Sequence, residues 1–241
     1  MTIDYSIIVP AYNEEAMLAT TLAQLRKAMA TVPLTGEIIV TDNNSTDSTA
    51  EIARDGGATV VFEPLNQISR ARNSGAKKAR GRYLIFVDAD TTVPPALLQR
   101  ALSNLESGQC SGGGANIRPE AEIPLLARGV VAYWNFLSRT VGLAAGCFVY
   151  ARHDDFVACG GFSEKVYATE EIWFSIALKR LARKHRRQFR IITKPQVITS
   201  GRKLVWYSYS YQSILLLIVF LLPFLTRFKW LCAYWYKRPK Q

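Results

Sequence analysis

Four short apolar runs rich in β-branched residues, at positions 5–9, 37–41, 59–62 and 83–87, alternate with segments whose apolar residues recur at helical spacing. Each run is too short for a helix and reads as a buried strand. Between them, 15–30 places Leu18, Leu22, Leu25 and Met29 on one helical face, 47–54 stops at Gly56-Gly57, and 69–79 ends before Gly81. This alternation constrains the chain to an α/β fold: a mostly parallel central sheet, wound by right-handed crossovers and flanked by helices. Ligands of such sheets sit at the carboxyl ends of the strands. Tyr12-Asn13, Asp42-Asn43 and Asp88-Ala89-Asp90 all fall there.

Beyond the fourth strand the pattern predicts a helix near 95–106, then Gly112-Gly-Gly114 and an apolar stretch from 123 to 145. Arg128 and Arg139 interrupt that stretch, which favours an amphipathic or groove-lining helix over a membrane span. A strand candidate at 147–150 and a turn at Gly160-Gly161-Phe162 precede a helix that opens Thr169-Glu-Glu, with acids on its first turn as the helix dipole favours. The 241 residues hold one substantial domain plus an appendage. Cys110, Cys147, Cys159 and Cys232 lack the clustering of a disulfide framework or a zinc site and read as reduced thiols. The opening Met1-Thr-Ile-Asp-Tyr-Ser lacks the basic-then-apolar order of a signal peptide, so none is expected.

Asp88 and Asp90, one residue apart beyond a strand, offer two hard oxygen donors. Such a pair suits Mg²⁺ or Mn²⁺ bound together with a substrate's phosphates. The same pattern also serves as a helix cap with a solvated acid beside it, and alone it does not separate the two. His153, next to Asp154-Asp155, and His185, inside a basic run, are expected at the surface and not as metal ligands.

Four ordered motifs supply the context: Ser6-Ile-Ile-Val-Pro-Ala-Tyr-Asn-Glu-Glu15, the segment from Asp42 to Asp47, Arg70-Ala-Arg-Asn-Ser-Gly75, and the Asp88 pair. Together they resemble the inverting glycosyltransferases of family 2, which have the GT-A fold. The resemblance runs from about Tyr5 to Glu171 and extends toward 200–202. It implies a nucleotide-sugar donor, with Pro10, Ala11, Tyr12, Glu14 and Asp42 on the nucleotide side. Asp42 would accept a hydrogen bond from uracil if the donor is a UDP-sugar, the favoured case. Asp88 would meet the ribose or the metal, Ala89 would line the same site, Asp90 would be the main metal ligand, and Arg72 would approach the ribose or diphosphate. Glu170-Glu171 matches an acidic pair, usually Glu-Asp, that carries the catalytic base. The second member here is Glu, one methylene longer; Glu171 is the first choice for the base and Glu170 the second. Gly160 and Gly161 would lie on the acceptor side.

Charge is divided unevenly. Residues 172–241 hold half of the 30 Lys/Arg and no acid, and all 19 Asp/Glu precede them. A localised basic excess implies an anionic partner. The basic clusters flank an aromatic stretch at 206–211 and an uncharged apolar run at 214–225. Nucleic acid would not account for that apolar run, and no nucleic-acid motif is visible. An anionic membrane surface accounts for both. The expected organisation is a catalytic domain at 1–203 and a membrane-associating segment at 204–241. The segment would hold the enzyme at the cytoplasmic face as a peripheral or re-entrant anchor, with a single span as the alternative. The acceptor would then be a membrane-borne lipid or glycan. Two other functions fit the same residues: a nucleotidyltransferase, and a non-catalytic sugar-nucleotide-binding membrane scaffold.

Overall fold

The computed structural model describes residues 2–120, 122–200 and 223–232. Strands β1 (Tyr5–Ala11), β2 (Gly36–Asp42), β3 (Thr59–Phe62) and β4 (Tyr83–Val87) are mutually parallel. β5 (Thr91–Thr92), β6 (Cys110–Pro119), β7 (Phe148–Arg152) and β8 (Gln188–Thr199) extend them into one eight-stranded sheet of order β3-β2-β1-β4-β7-β6-β8-β5. β7 runs antiparallel to both β4 and β6, and β8 runs parallel to β6. Helices α1 (Glu15–Met29), α2 (Thr49–Asp55), α3 (Ile68–Lys78), α4 (Pro95–Glu106), α5 (Leu125–Leu137), α6 (His153–Ala158) and α7 (Glu170–Lys184) complete the fold.

Alternation along β1 divides the core between the two sheet faces. Ile7 and Val9 join Leu18, Leu22 and Leu25 of α1 and Leu97, Leu98 and Leu102 of α4 on one face. Ile8 joins Phe86, Phe156, Phe162, Phe174 and Leu178 on the other. There Phe162 meets Phe174 at 4.6 Å between ring centroids and Phe86 edge-on at 5.0 Å. Aromatic pairs in these geometries add roughly 0.5–1.5 kcal/mol each beyond their burial. They fix the start of α7 against the end of β4.

The first half follows the predicted alternation closely. The second half contains β6, β8 and α6, none of which the sequence pattern predicts. In β6 the glycines conceal a strand. A Cβ on Gly113 would lie 1.8 Å from the Arg190 carbonyl oxygen, and one on Gly112 would lie 2.4 Å from that of Tyr150. Glycine is required because neighbouring backbone and the Tyr150 ring press on this strand from both sides.

The apolar stretch 123–145 forms α5 and a π-helical turn, Ser138–Gly142. His153 heads α6 with its ring nitrogen 2.9 Å from the Gly81 carbonyl. Asp155 is buried and bonded by Arg187 at 3.0 Å, with His185 beside it at 3.2 Å. This tie holds α6 to the end of α7.

Among the described residues no helix is long and apolar enough to cross a membrane. The aromatic stretch 206–211, most of the apolar run and the basic end at 237–240 lie outside the described residues. Pro223–Arg227 forms a 3₁₀ turn. The stretch 223–232 packs on the catalytic fold: the Tyr167 amide donates to the Thr226 carbonyl at 2.6 Å, and Thr226 and Cys232 are buried.

Candidate active site

β1 and β2 pair to their last residues, which sets Ala11 opposite Asp42. Pro10 and Ala11 are buried, so they form the floor of this end of the sheet, and half-buried Tyr12 follows. Asn13 has φ of 50°, a left-handed conformation that Asn tolerates better than most residues. Its amide donates to Ser45 Oγ at 3.0 Å and its Oδ1 accepts from the Thr46 amide at 2.8 Å. Asp42 Oδ1 accepts from the Ser45 amide at 3.0 Å. The buried Glu14 donates its amide to Thr49 Oγ1 at 2.8 Å. The loops after β1 and β2 are thus laced together around the residues expected to receive a nucleotide base.

Asp88 follows β4 directly, and its amide donates to the Cys147 carbonyl at 3.3 Å. Ala89 is buried and its carbonyl accepts from Thr21 Oγ1 at 2.7 Å, so its side chain packs inward. The Asp90 carbonyl accepts from the Ser200 amide at 3.2 Å. Arg72, from α3, is only 1 % exposed. It lies beneath the site as a hub: Nη2 bonds Asp88 Oδ1 at 2.9 Å and the Gly146 carbonyl at 2.8 Å, Nη1 bonds Glu170 Oε1, and the guanidinium lies 5.2 Å from the Phe162 ring centroid.

Burial alone would lower the Arg72 pKa; the charges of Asp88, Glu170 and Glu171 outweigh it and raise the guanidinium above its ordinary value. Glu170 is buried and committed to this ion pair. Glu171 is half-buried, with its carboxyl end lying against the Gly146 turn. Burial first, and then the charge of Glu170, push its carboxyl well above the usual carboxylate range, against the opposing pull of Arg72. A Cβ on Gly146 would lie 3.2 Å from Arg72 Nη2 and 3.6 Å from Glu171 Cδ, so the turn at Gly146 runs directly against both. The Cys147 thiol is raised by burial and then by the charges of Asp88 and Asp90, which sets both aspartates beside the same turn. Thr169, just ahead of the acidic pair, has φ of 64°. For a β-branched residue that is a strained backbone, held by the packing around it.

Among the described residues no group of three or more His, Cys, Asp and Glu side chains converges as a metal cage. The pair Asp88 and Asp90 nevertheless fits a divalent cation of the Mg²⁺ or Mn²⁺ kind. Such ions use one or two carboxylates and complete their shell with phosphate oxygens and water. Asp88 is charge-paired with Arg72, and the family resemblance makes Asp90 the principal candidate ligand.

The 159–166 turn, expected on the acceptor side, is held by one face of α3 and the residue before it. Asn73 brackets Phe162, accepting from its amide at 3.0 Å and donating to its carbonyl at 2.9 Å. Gln67 Nε2 donates to the carbonyls of Glu164 and Val166 at 2.8 and 2.9 Å, and Arg70 pairs with Glu164 at 3.1 Å. Gly161, at φ 66°, lies so close that a Cβ would meet Asn73 Oδ1 at 2.9 Å. Gly160, Gly161, Phe162, Trp173, Phe174 and Arg227 help line a groove of about 660 Å³ beside α7. Sequence reasoning missed Gln67, Asn73 and Gly146. Asn73 stands inside the Arg70–Gly75 motif, but neither its pairing with Phe162 nor that of Gly146 with Arg72 has any signal along the chain.

Residues 6–122 match the family model described as Glycosyl transferase family 2. An uncharacterized glycosyltransferase of Bacillus subtilis, EpsJ, is 36% identical over 110 residues, which covers 43% of this chain and 31% of that protein. Protein RfbJ of Shigella flexneri is 32% identical over 104 residues, covering 43% of this chain and 78% of that protein. The chain therefore spans under a third of EpsJ but most of RfbJ. In three dimensions it is similar to mannosyltransferase PcManGT from Pyrobaculum calidifontis, solved in complex with GDP-Man and Mn²⁺. The TM-score is 0.64 at 20% identity, over 89% of this chain and 60% of the other. That likeness establishes the GT-A fold; with the sequence matches, it shows that this chain belongs to glycosyl transferase family 2.

Proposed function

We propose that the protein transfers a sugar from a nucleotide-sugar donor, a UDP-sugar by preference, to a membrane-borne lipid or glycan acceptor with inversion at the anomeric carbon. The observation that carries this reading is the convergence of Asp88, Arg72, Glu170 and Glu171 where β4 ends and α7 begins. The base would lie by Asp42 and Tyr12, and the diphosphate would extend toward Asp88 and Asp90. Those two aspartates would hold Mg²⁺ or Mn²⁺, Asp90 foremost. When bound, the metal supplies positive charge that stabilises the departing diphosphate.

Glu171 is the base. Its carboxylate takes the proton of the acceptor hydroxyl while that oxygen bonds to the anomeric carbon. The bond from this carbon to the diphosphate breaks, and the nucleoside diphosphate leaves with its electron pair. Glu170 cannot serve equally, because its carboxylate neutralises a buried arginine. Its work is to hold Arg72, and through it Asp88 and the Gly146 turn, in place.

The test is a screen of nucleotide sugars for metal-dependent thermal stabilisation, followed by product analysis with the stabilising donor. Ligand that binds the native state raises its stability by mass action. Release of nucleoside diphosphate is expected. Pyrophosphate release from a nucleoside triphosphate would replace this reading with a nucleotidyltransferase, and donor binding without turnover would indicate a scaffold. The tail has its own test. Removing residues 204–241 should lower the membrane-bound fraction, and an unchanged fraction would refute it as an anchor.

A further inference from the structure

Helix α5 presents an outward apolar face that is solvent-exposed. Its inner face is fixed to the sheet by Asn135, whose Oδ1 accepts from the Ile117 amide and whose Nδ2 donates to the Ile117 carbonyl, both at 2.9 Å. Ala127 and Ser138 are buried on that side. Leu125, Val130, Tyr133 and Phe136 therefore point outward, and Val141 continues the row into the π-helical turn. Tyr133 is 58% and Phe136 52% exposed. A contiguous apolar face of this kind marks an interaction site.

The charges around it select the partner. From Leu125 to Gly142 the only charged residues are Arg128 and Arg139, both exposed, one near each end. Lys179 reaches the turn from α7, its Nζ donating to the Val141 carbonyl at 2.7 Å. The acids just upstream, Glu120 and Glu122, precede the helix, and Glu122 shares a groove with Arg128.

We propose that the outer face of α5 docks in the plane of a lipid bilayer carrying anionic headgroups. An apolar face rimmed by arginines and free of acid matches a lipid interface, where aromatic and aliphatic side chains enter the acyl boundary and cations meet phosphate. A second copy of the chain fits less well, since two-fold pairing of this face would set cationic ends against cationic ends.

The placement also bears on the acceptor. Past the turn the chain runs directly to Gly146, whose carbonyl holds Arg72. The Ala144 amide is held by Ser175 Oγ, which itself donates to the Glu171 carbonyl. A bilayer engaged by α5 would thus lie against the segment that leads to Gly146 and, through Ser175, to Glu171. The inference deepens the membrane reading above and does not depend on the tail.

The experiment uses the full chain with Phe136→Trp, compared with Phe62→Trp. Phe62 is 61% exposed on β3, at the opposite edge of the sheet. Vesicles of phosphatidylcholine and phosphatidylglycerol with brominated acyl chains should quench the added indole at position 136 and not the one at position 62. Tyr133→Glu combined with Phe136→Glu should weaken partition by about tenfold or more, since two half-exposed aromatics no longer enter the interface. Both sites face solvent, so thermal unfolding without vesicles should be unchanged.

Equal quenching at 136 and 62, or wild-type partition of the double variant, overturns the proposal. So does a dimer that the double variant dissolves while vesicle binding persists. Loss of vesicle binding on removing 204–241, together with no quenching at 136 in the full chain, would assign membrane contact to the tail alone. That outcome would leave the donor chemistry untouched.

Discussion

The proposed donor side and the proposed acceptor side of this molecule are built by different means. Around β1 and β2 the loops are short, buried at their bases and tied by side chain to backbone bonds such as Asn13 to Thr46 and Asp42 to Ser45. Asn43 alone donates to the carbonyls of Glu63 and Leu65 and accepts from the Gln67 amide. Around α5, α7 and the 159–166 turn the surface is apolar, with exposed Tyr133, Phe136 and Trp173 among basic side chains. A nucleotide is a constant shape that rewards preorganised polar groups, whereas an amphiphilic acceptor rewards apolar area and diffuse positive charge. The Arg72 hub joins the two, bonding Asp88 on one side and Glu170 on the other.

Removing the base gives the largest contrast. Glu171→Gln should keep donor affinity, read by thermal shift with the nucleotide sugar, while turnover falls about 10²–10⁴-fold. Unchanged turnover would move the base to the donor half and erase the division of labour. The same residue fixes the sign of the pH response. A carboxylate must be ionised to accept a proton, and Glu171 ionises later than an ordinary one. The rate should therefore climb with pH well above about pH 4.3, the usual Glu value. A pH–rate profile already level at pH 5 would contradict the raised carboxyl.

Severing the hub comes next. Arg72→Met leaves Glu170 buried without its cation and should cost about 3–5 kcal/mol of stability. Urea unfolding measures it, and a loss below 1 kcal/mol, well under that estimate, would show that the two halves stand without the hub.

Asn73→Ala removes both bonds to Phe162 and should cost about 1–3 kcal/mol. Its sharper readout is kinetic: acceptor KM rises while donor affinity holds. An equal effect on both substrates would mean that α3 does not separate the two sides. The smallest effect is expected from Gly161→Ala. A left-handed backbone with a Cβ costs roughly 1–2 kcal/mol, and the clash with Asn73 Oδ1 adds to it. Melting temperature against wild type is the measure, and equal values would show that the turn relaxes freely.

The legibility of the sequence follows the same boundary. β1 to β4 and α1 to α4 could be read directly, because each strand is a short apolar run closed by Gly, Pro or a polar turn, α1 and α4 repeat leucines on one face, and α2 and α3 fill the polar intervals between strands and end near glycines. Asp42, Asp88 and Asp90 could be placed because they stand at the ends of those runs. β6 escaped because its glycines answer to Tyr150 and Arg190, partners far along the chain. The burial of Asp155 escaped for the same reason, since its partners His185 and Arg187 lie 30 and 32 residues further along the chain.

Taken alone, then, the sequence determined the α/β winding, the carboxylates at the strand ends, the acidic pair that opens α7 and the basic, acid-free C-terminal region, all of them patterns carried by neighbours in the chain. Only the tertiary structure decided that Arg72 is a buried hub, that Glu170 rather than Glu171 forms the close ion pair with it, and that α5 turns an apolar face outward. Those outcomes depend on which charges are desolvated together and which surfaces find a partner. Both are set by contacts between residues distant in sequence.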